Sequence, residues 1–393
     1  MRVAVVHHWF VTRGGGERVA ECIAALFPQA ELFTLVASPA GLPETLTNRK
    51  LHTSILQRLP LAQTHHRHFL PFYPTATESL DLRGFDLVLS SDSGPVKGVR
   101  LDPGATHICY CHSPMRYLWD GYEQYRSAMS GLTRAAFTAT AGRVRRWDSA
   151  AAQRVTHFLA NSHYVADRIQ RCYNRTSQVI HPPIDLHRAA SFTAINPGDH
   201  YLCAGRLVPY KRTEILIEAC RKLNRKLRIA GTGPEESRLR RDFAADPNIE
   251  FLGELSTPEL WSQYAQCRAL LFAADEDFGM VPLEAQSCGR PVIAYGAGGS
   301  LETVRATLPQ PTGAYFTEQT AESAAAAIQH WEQTTEPAFH PTDARQWAST
   351  FATPVFLERY RNFVLTHVPQ AITAAASLEE AINVVAPPTS STP

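Results

Sequence analysis

Two cations and two carboxylates stand at spacings that could handle a diphosphate and what is attached to it. Arg206 and Lys211 are five residues apart in Gly205-Arg206-Leu207-Val208-Pro209-Tyr210-Lys211, between an apolar run and a helical one. A guanidinium offers a fork of donors and an ammonium a compact point charge, a combination that suits adjacent phosphates. Glu276 and Glu284 lie eight positions apart in Ala274-Asp275-Glu276-Asp277-Phe278-Gly279-Met280-Val281-Pro282-Leu283-Glu284. Pro282 suits the first turn of a helix, where its missing N–H costs nothing. That places Glu276 and Asp277 in a loop and Glu284 in the first helical turn. Gly279 permits unusual backbone angles or a close approach by a ligand, and the free amides of Met280, Val281 and Leu283 can face an anion. Plainer readings stand beside these. Glu284 can complement the helix dipole for ~0.3–1 kcal/mol, Asp275-Glu276-Asp277 can be solvated or mimic a metal-binding DxD, and residues 205–211 can be an ordinary surface turn.

Two glycine loops offer further approach to phosphate or sugar. Gly231 opens Gly231-Thr232-Gly233-Pro234 after an apolar run, and Gly15 and Gly16 lie in Gly14-Gly15-Gly16-Glu17-Arg18. Neither completes GxGxxG, because Glu236 and Val19 stand at the last glycine position, and no GK[ST] follows either loop. A dinucleotide fingerprint and a Walker site are therefore excluded. His112 follows another apolar run, in Tyr110-Cys111-His112-Ser113-Pro114-Met115-Arg116-Tyr117-Leu118-Trp119-Asp120.

The elements that must position these residues alternate. Short β-rich runs at 3–6, 86–90, 106–110, 157–161 and 178–181 are interleaved with helical stretches at 17–26 and 162–172, and Pro182-Pro183 stops this half. The pattern restarts with strands at 201–205, 226–230, 249–252, 269–273 and 291–295 and helices at 213–223 and 258–267. Apolar strands alternating with helices predict an α/β protein with parallel sheets covered on both faces. Ligands of such sheets bind outside the carboxyl ends of the strands, which is where the loops above fall. The restart predicts two domains, 1–190 and 191–345, with a helical stretch near 345–363 and a tail at 367–393 that is partly disordered.

Bulk properties narrow the class. The chain has 393 residues, 44% hydrophobic and 19% charged, with a formal charge of +1. That is ample core material and no basic surplus for nucleic acid. The eight cysteines form no CxxC pair and read as reduced core thiols of a cytoplasmic protein. His7-His8-Trp9 interrupts the first apolar run before a secretory core could form. No run approaches the roughly 20 apolar residues of a membrane span. Basic and aromatic residues cluster twice: Arg58, His65, His66, Arg67 and His68 precede Phe69-Leu70-Pro71-Phe72-Tyr73, and Arg134, Arg143, Arg145 and Arg146 precede Trp147. These are either solvated faces or contacts for anionic headgroups or a lipid diphosphate at the cytoplasmic face of the membrane.

Gly205-Arg206 with Lys211, and Glu276 with Glu284 in an FG-x-x-x-x-E setting, resemble the retaining GT-B glycosyltransferases of family 4 (glycosyl transferases group 1). The glycine loop at 14–16, Ala160-Asn161-Ser162 and the 179–185 segment are similar to that family too, so the likeness covers about residues 1–365. It implies two Rossmann-like domains facing a cleft, acceptor on the first and nucleotide-sugar donor on the second, with a helix at about 346–366 crossing back to the first. Residue by residue it implies that Arg206 and Lys211 clamp the leaving diphosphate. Glu284 would hold the ribose and Glu276 the hydroxyls of the transferred sugar. The amides of Phe278, Gly279, Met280 and Val281, with Gly231, would line the donor. Gly15 and Gly16 would let the backbone approach the diphosphate, and His112 would touch the donor sugar. No cofactor or metal is implied.

The 110–120 run looks most like bacterial mannosyltransferases of polysaccharide assembly. The implied reaction moves mannose from GDP-mannose to a saccharide or polyprenyl-diphosphate-linked acceptor in lipopolysaccharide or exopolysaccharide biosynthesis. Alternatives are a UDP-sugar donor, a GT-B epimerase, or a non-catalytic nucleotide-sugar-binding protein. A pyridoxal phosphorylase would need a Schiff-base lysine, and no lysine stands out in a suitable loop.

Overall fold

In the first half, seven short strands form one parallel sheet. They are β1 (Val3–Phe10), β2 (Glu31–Ala37), β3 (Leu51–Thr53), β4 (Leu87–Asp92), β5 (Thr106–Cys111), β6 (His157–Ala160) and β7 (Ser177–Val179), in spatial order β3-β2-β1-β4-β5-β6-β7. Alternation along β1 explains why both faces are covered. Val3 and Val5 pack into one buried cluster with the helix Gly15–Leu26, while Ala4 and Val6 pack into another with Val88 and Tyr73. The computed structural model describes residues 1–192, 195–243, 245–307 and 309–385, without the side chains of Arg67 and His68. The last residues of the expected tail, 386–393, lie outside the described residues.

A second parallel sheet follows. Its strands are β8 (Tyr201–Ala204), β9 (Leu227–Ala230), β10 (Ile249–Gly253), β11 (Ala269–Phe272), β12 (Val292–Tyr295) and β13 (Gly313–Phe316), in order β10-β9-β8-β11-β12-β13. Tyr201, Ile229 and Leu271 face one core, and Leu202, Leu270 and Phe272 the other. In each sheet the order reverses once, between β1 and β4 and between β8 and β11. Those reversals are the topological switch points where open α/β sheets take ligands.

The chain divides into two compact units, Met1–Pro183 with the segment from Thr353 onward, and Ile184–Ala352. The division falls a few residues before the 190/191 boundary read from the sequence. The reason is local: Ile184 already pairs with the second unit, donating its N–H to the Phe351 carbonyl at 2.9 Å and bridging Ala352. The single helix expected near 346–366 is two helices, Pro341–Ser349 in the second unit and Thr353–His367 in the first. Phe356, Leu357, Tyr360 and Val364 of the latter pack in the cluster of Val5, Ile23 and Leu89.

One expectation is corrected at the amino end. His7 and His8 do not interrupt the first strand; β1 runs through both to Phe10, and both imidazoles are buried. Among the described residues no helix is long and apolar enough to cross a membrane.

Candidate functional site

In the second unit the loops after β8 and β11 flank the switch point, and an ion pair joins them. Lys211 Nζ lies 3.0 Å from Glu276 Oε1, with both side chains mostly buried. Burial opposes the charged lysine, but the Glu276 carboxylate outweighs it, with Tyr210 adding a smaller contribution, and the Lys211 pKa rests above its ordinary value. Gly205 has φ +130°, and a Cβ there would stand 2.7 Å from Lys211 Nζ. Glycine therefore gives the ammonium its place against the backbone. Arg206, on the same loop, is exposed. Gly231, with φ +123°, is glycine because a Cβ would overlap the Gly205 carbonyl. The loop after β9 thus supports the loop after β8 from behind.

Pro282 stands in the first turn of its helix, as expected. Gly279 caps it at φ +83°, and it spans Met280–Ser287 with no acid in the first turn. Glu284 is therefore in the second turn and not the first, and complementing the helix dipole does not explain it, because that effect fades within the first turn. Its carboxylate has a specific partner instead: the buried Tyr264 hydroxyl donates to Glu284 Oε2 at 2.8 Å. Burial raises the Glu284 pKa, while Tyr264, Arg188 and Lys211 pull it back. Phe278 turns its ring into an apolar cluster with Leu283 and Phe351, so only its backbone faces the loop chemistry. Met280 and Val281 supply the first two helical N–H groups.

Sequence reasoning passed over the loop after β12, residues 296–299. Gly299 donates its N–H to the Glu276 carbonyl at 2.8 Å, and a Cβ on Gly299 would overlap the Phe278 backbone. This glycine run holds the acidic loop in place. Its signal was present, since Gly296-Ala297-Gly298-Gly299 follows an apolar strand.

In the first unit the residues at the switch point are mostly imidazoles. His112, at the end of β5, has Nε2 2.8 Å from Ser91 Oγ of β4. Ser91 also meets His7 of β1, whose Nδ1 lies 3.1 Å from both the Ser91 carbonyl and its hydroxyl. Gly16, in the first turn of the helix Gly15–Leu26, sits against them, and a Cβ there would be 3.5 Å from the His7 ring and 3.8 Å from His112 Nε2. Glu17 follows, with Oε1 4.0 Å from His7 Nε2. Burial pushes His112 down to about 3 and carries His7 well below its usual value, so both imidazoles are neutral. Gly15 begins the helix beside this group. His7, His8, Ser91 and Glu17 could not be found from sequence, because three separate elements bring them together.

The expected site residues thus form two groups. Lys211, Glu276, Gly231 and the 278–284 segment lie together in the second unit, with Arg206 exposed on the loop of Lys211, and Gly15, Gly16 and His112 lie together in the first.

Comparison with known proteins follows this division. A family model described as Glycosyltransferase Family 4 matches residues 13–188, and one described as Glycosyl transferases group 1 matches residues 193–344. The GDP-mannose-dependent monoacylated alpha-(1-6)-phosphatidylinositol monomannoside mannosyltransferase of Corynebacterium glutamicum is 38% identical over 117 residues, covering 26% of this chain and 30% of that protein. A D-inositol 3-phosphate glycosyltransferase of Pseudarthrobacter chlorophenolicus is 32% identical over 163 residues, 35% of this chain and 37% of the other. The chain therefore spans about a third of the length of the curated relatives it matches. Among solved structures, Anabaena HepE in complex with UDP-glucose aligns with a TM-score of 0.65 at 18% identity, covering 93% of this chain and 100% of that one. Sucrose-phosphate synthase from Thermosynechococcus elongatus aligns with a TM-score of 0.66 at 15% identity, covering 94% and 100%.

Proposed function

Because the chain belongs to the family 4, group 1 glycosyltransferases and has the GT-B fold, we propose that it transfers mannose from GDP-mannose, with retention of configuration, to a saccharide or polyprenyl-diphosphate-linked acceptor of cell-surface polysaccharide assembly. The observation that carries this reading is the Lys211–Glu276 pair across the two switch-point loops of the second unit. In it Lys211 and Arg206 stabilise the departing diphosphate, an electrostatic task for which fixed cations are suited. Glu276 binds hydroxyls of the transferred sugar, the amides of 278–281 line the donor, and Glu284 holds the ribose diol. In the first unit His112 serves the transferred sugar, and Gly15 and Gly16 admit the diphosphate. Mannose is favoured by the GDP-mannose dependence of the Corynebacterium relative.

Thermal shift against GDP, UDP, ADP and dTDP tests the donor. A ligand of the folded state stabilises it by roughly 2.7 kcal/mol at a hundredfold excess over Kd. A selective rise with GDP and GDP-mannose is expected. A selective rise with UDP would replace the donor, and silence with all four would remove the nucleotide site.

No metal is needed in this reading, because Lys211, Arg206 and the amino end of the 280–287 helix meet the diphosphate charge. EDTA should leave the transfer rate nearly unchanged. Strict dependence on manganese would make Asp275-Glu276-Asp277 a ligand set instead. The Tyr264 hydroxyl occupies one oxygen of Glu284 and orients the other. Tyr264→Phe should therefore narrow the preference for GDP over 2′,3′-dideoxy-GDP, measured by calorimetry, without unfolding the protein.

The acceptor side of the proposal includes peripheral contact with an anionic membrane. Residues 45–77 and 124–147 contain no Asp or Glu but four and five Lys or Arg respectively, in a chain of net charge +1. The 310 segment His66–Phe72 packs on the helix Gly131–Arg154, so these stretches adjoin. Among them Leu61, Phe72 and Leu132 are exposed, Leu132 to 90%. Vesicles containing phosphatidylglycerol should retain the protein at low salt, and Arg143→Glu with Arg146→Glu should release it. Equal retention by neutral vesicles would contradict an electrostatic contact.

A further inference from the structure

The hydrogen bonds around Ser91 assign one tautomer to each imidazole they touch. The Ser91 carbonyl can only accept, so His7 Nδ1, 3.1 Å away, carries the proton and His7 Nε2 the lone pair. The Ser91 hydroxyl lies 3.1 Å from that protonated Nδ1, toward which it too can only accept. Its own proton goes to His112 Nε2 at 2.8 Å, since its other acceptor, the Gly16 carbonyl, is at 3.5 Å. His112 then carries its proton on Nδ1.

At the far end, His7 Nε2 is buried without a hydrogen-bond partner, 4.0 Å from Glu17 Oε1. Hydrogen bonds in active sites are often long before a ligand binds and tighten when it does. Burial pushes the Glu17 carboxyl up to about 7. Below that pH it is an acid able to donate to the His7 lone pair. His8 shares the Ser91 carbonyl, with Nδ1 3.3 Å from it and Nε2 3.2 Å from Ser93 Oγ, so by the same argument its proton is on Nδ1.

We propose that Glu17, His7 and Ser91 form a chain of positioning residues, each donating toward the next, that holds His112 as a neutral Nδ1–H donor. The inference rests on the assignment of His112 to the transferred sugar and specifies how it acts there. It gives a hydrogen bond to a sugar hydroxyl oxygen and takes no proton. Below about pH 7 the chain is made of neutral groups, so there it orients His112 without placing a charge beside the reacting carbon.

Two measurements on the full-length protein test this. Long-range 1H–15N spectra of histidine-labelled protein report each tautomer, and initial rates separate kcat from the donor KM. Wild-type His112 should show Nδ1–H. Ser91→Ala should mix its tautomers and lower kcat roughly tenfold or more, with little change in donor KM. Glu17→Ala should lower kcat in the same way, and Glu17→Gln should restore most of that loss, because its amide donates to His7 Nε2 as the acid does. Melting temperatures identify any variant that fails to fold, and the wild-type spectrum needs no variant.

An Nε2–H tautomer in the wild type would overturn the proposal. So would unchanged kcat in Ser91→Ala and Glu17→Ala while His112→Ala abolishes transfer. If His112→Ala itself transfers normally, the assignment of His112 to the sugar is what fails, and the chain's catalytic role fails with it.

Discussion

Lys211→Ala is expected to lower kcat for sugar transfer by roughly 10²–10³-fold while the protein stays folded. That is the usual effect of removing one preorganised group that meets charge developing in a transition state. Lys211 is preorganised in a specific sense. Its ammonium is pinned 3.0 Å from Glu276, over a glycine that leaves no room for a side chain. Its pKa is raised, so the charge is present below the ordinary lysine value and is lost only as pH climbs past the higher folded one. Deprotonation of Lys211 therefore sets no limit on activity near neutral pH.

The partner matters as well. On the proposed reading, removing Lys211 leaves the Glu276 carboxylate without its ion-pair partner and the diphosphate with Arg206 as its remaining side-chain cation. Glu276→Ala alone should also cost orders of magnitude, through lost contacts to the sugar. The double variant should be less impaired than the product of the two, because residues in contact are not additive. Lys211→Arg should not restore the rate, since a planar fork cannot occupy the point position above Gly205. Initial-rate kinetics with saturating donor decide this, and near-normal kcat in Lys211→Ala would remove the pair from the chemistry.

What could be read in the sequence follows from how far apart in the chain the cooperating residues are. The strands leading into the 205–211 and 274–284 loops are short apolar runs ended by glycine or acids, so the loops and their charges were legible together. β2 was legible too, as Leu32-Phe33-Thr34-Leu35-Val36, but went unassigned. β3 and β13 were not, because one has three residues and the other opens on Gly313. The helix Gly131–Arg154 buries only a sparse stripe, Phe137, Ala141, Val144 and Asp148 among few others, and its arginines are spread around it. It therefore shows no clean apolar face. Tyr264 is twenty residues from Glu284 and on another helix, and nothing in its own surroundings marks its hydroxyl as a carboxylate partner. Glu284 falls in the second turn and not the first because Pro282, which marks the first turn, occupies its third position, behind Met280 and Val281.

Lys97→Met is expected to destabilise the first unit by about 3–5 kcal/mol, the range for removing one partner of a buried ion pair. The Lys97 ammonium is fully buried, 2.8 Å from Asp148 Oδ1 and 3.1 Å from Asp92 Oδ2, and it donates to the Gly94 carbonyl at 2.6 Å. Burial opposes its charge, but Asp148 and then Asp92 outweigh that and hold its pKa well above the ordinary value. Its contribution is thus present throughout the neutral range and is lost only in strong alkali.

The two carboxylates left behind are unequal. Asp92 keeps the backbone amides of Gly94 and Val96 at 2.8 and 3.2 Å, donors that sustain an anion. Asp148 keeps Trp119 Nε1 and the Tyr173 hydroxyl, each at 2.8 Å on Oδ2, while Oδ1 loses its cation. Adding Asp148→Asn to Lys97→Met should therefore recover part of the loss. Because the chain has two units, one global midpoint would blend them, and hydrogen exchange of β4 and β5 amides is the sharper readout. Asp92 directly follows Ser91 in β4, so loosened amides there should accompany weaker ordering of His112. Protection within about 1 kcal/mol of wild type would mean that the packing around Lys97, and not its charge, holds the end of β4.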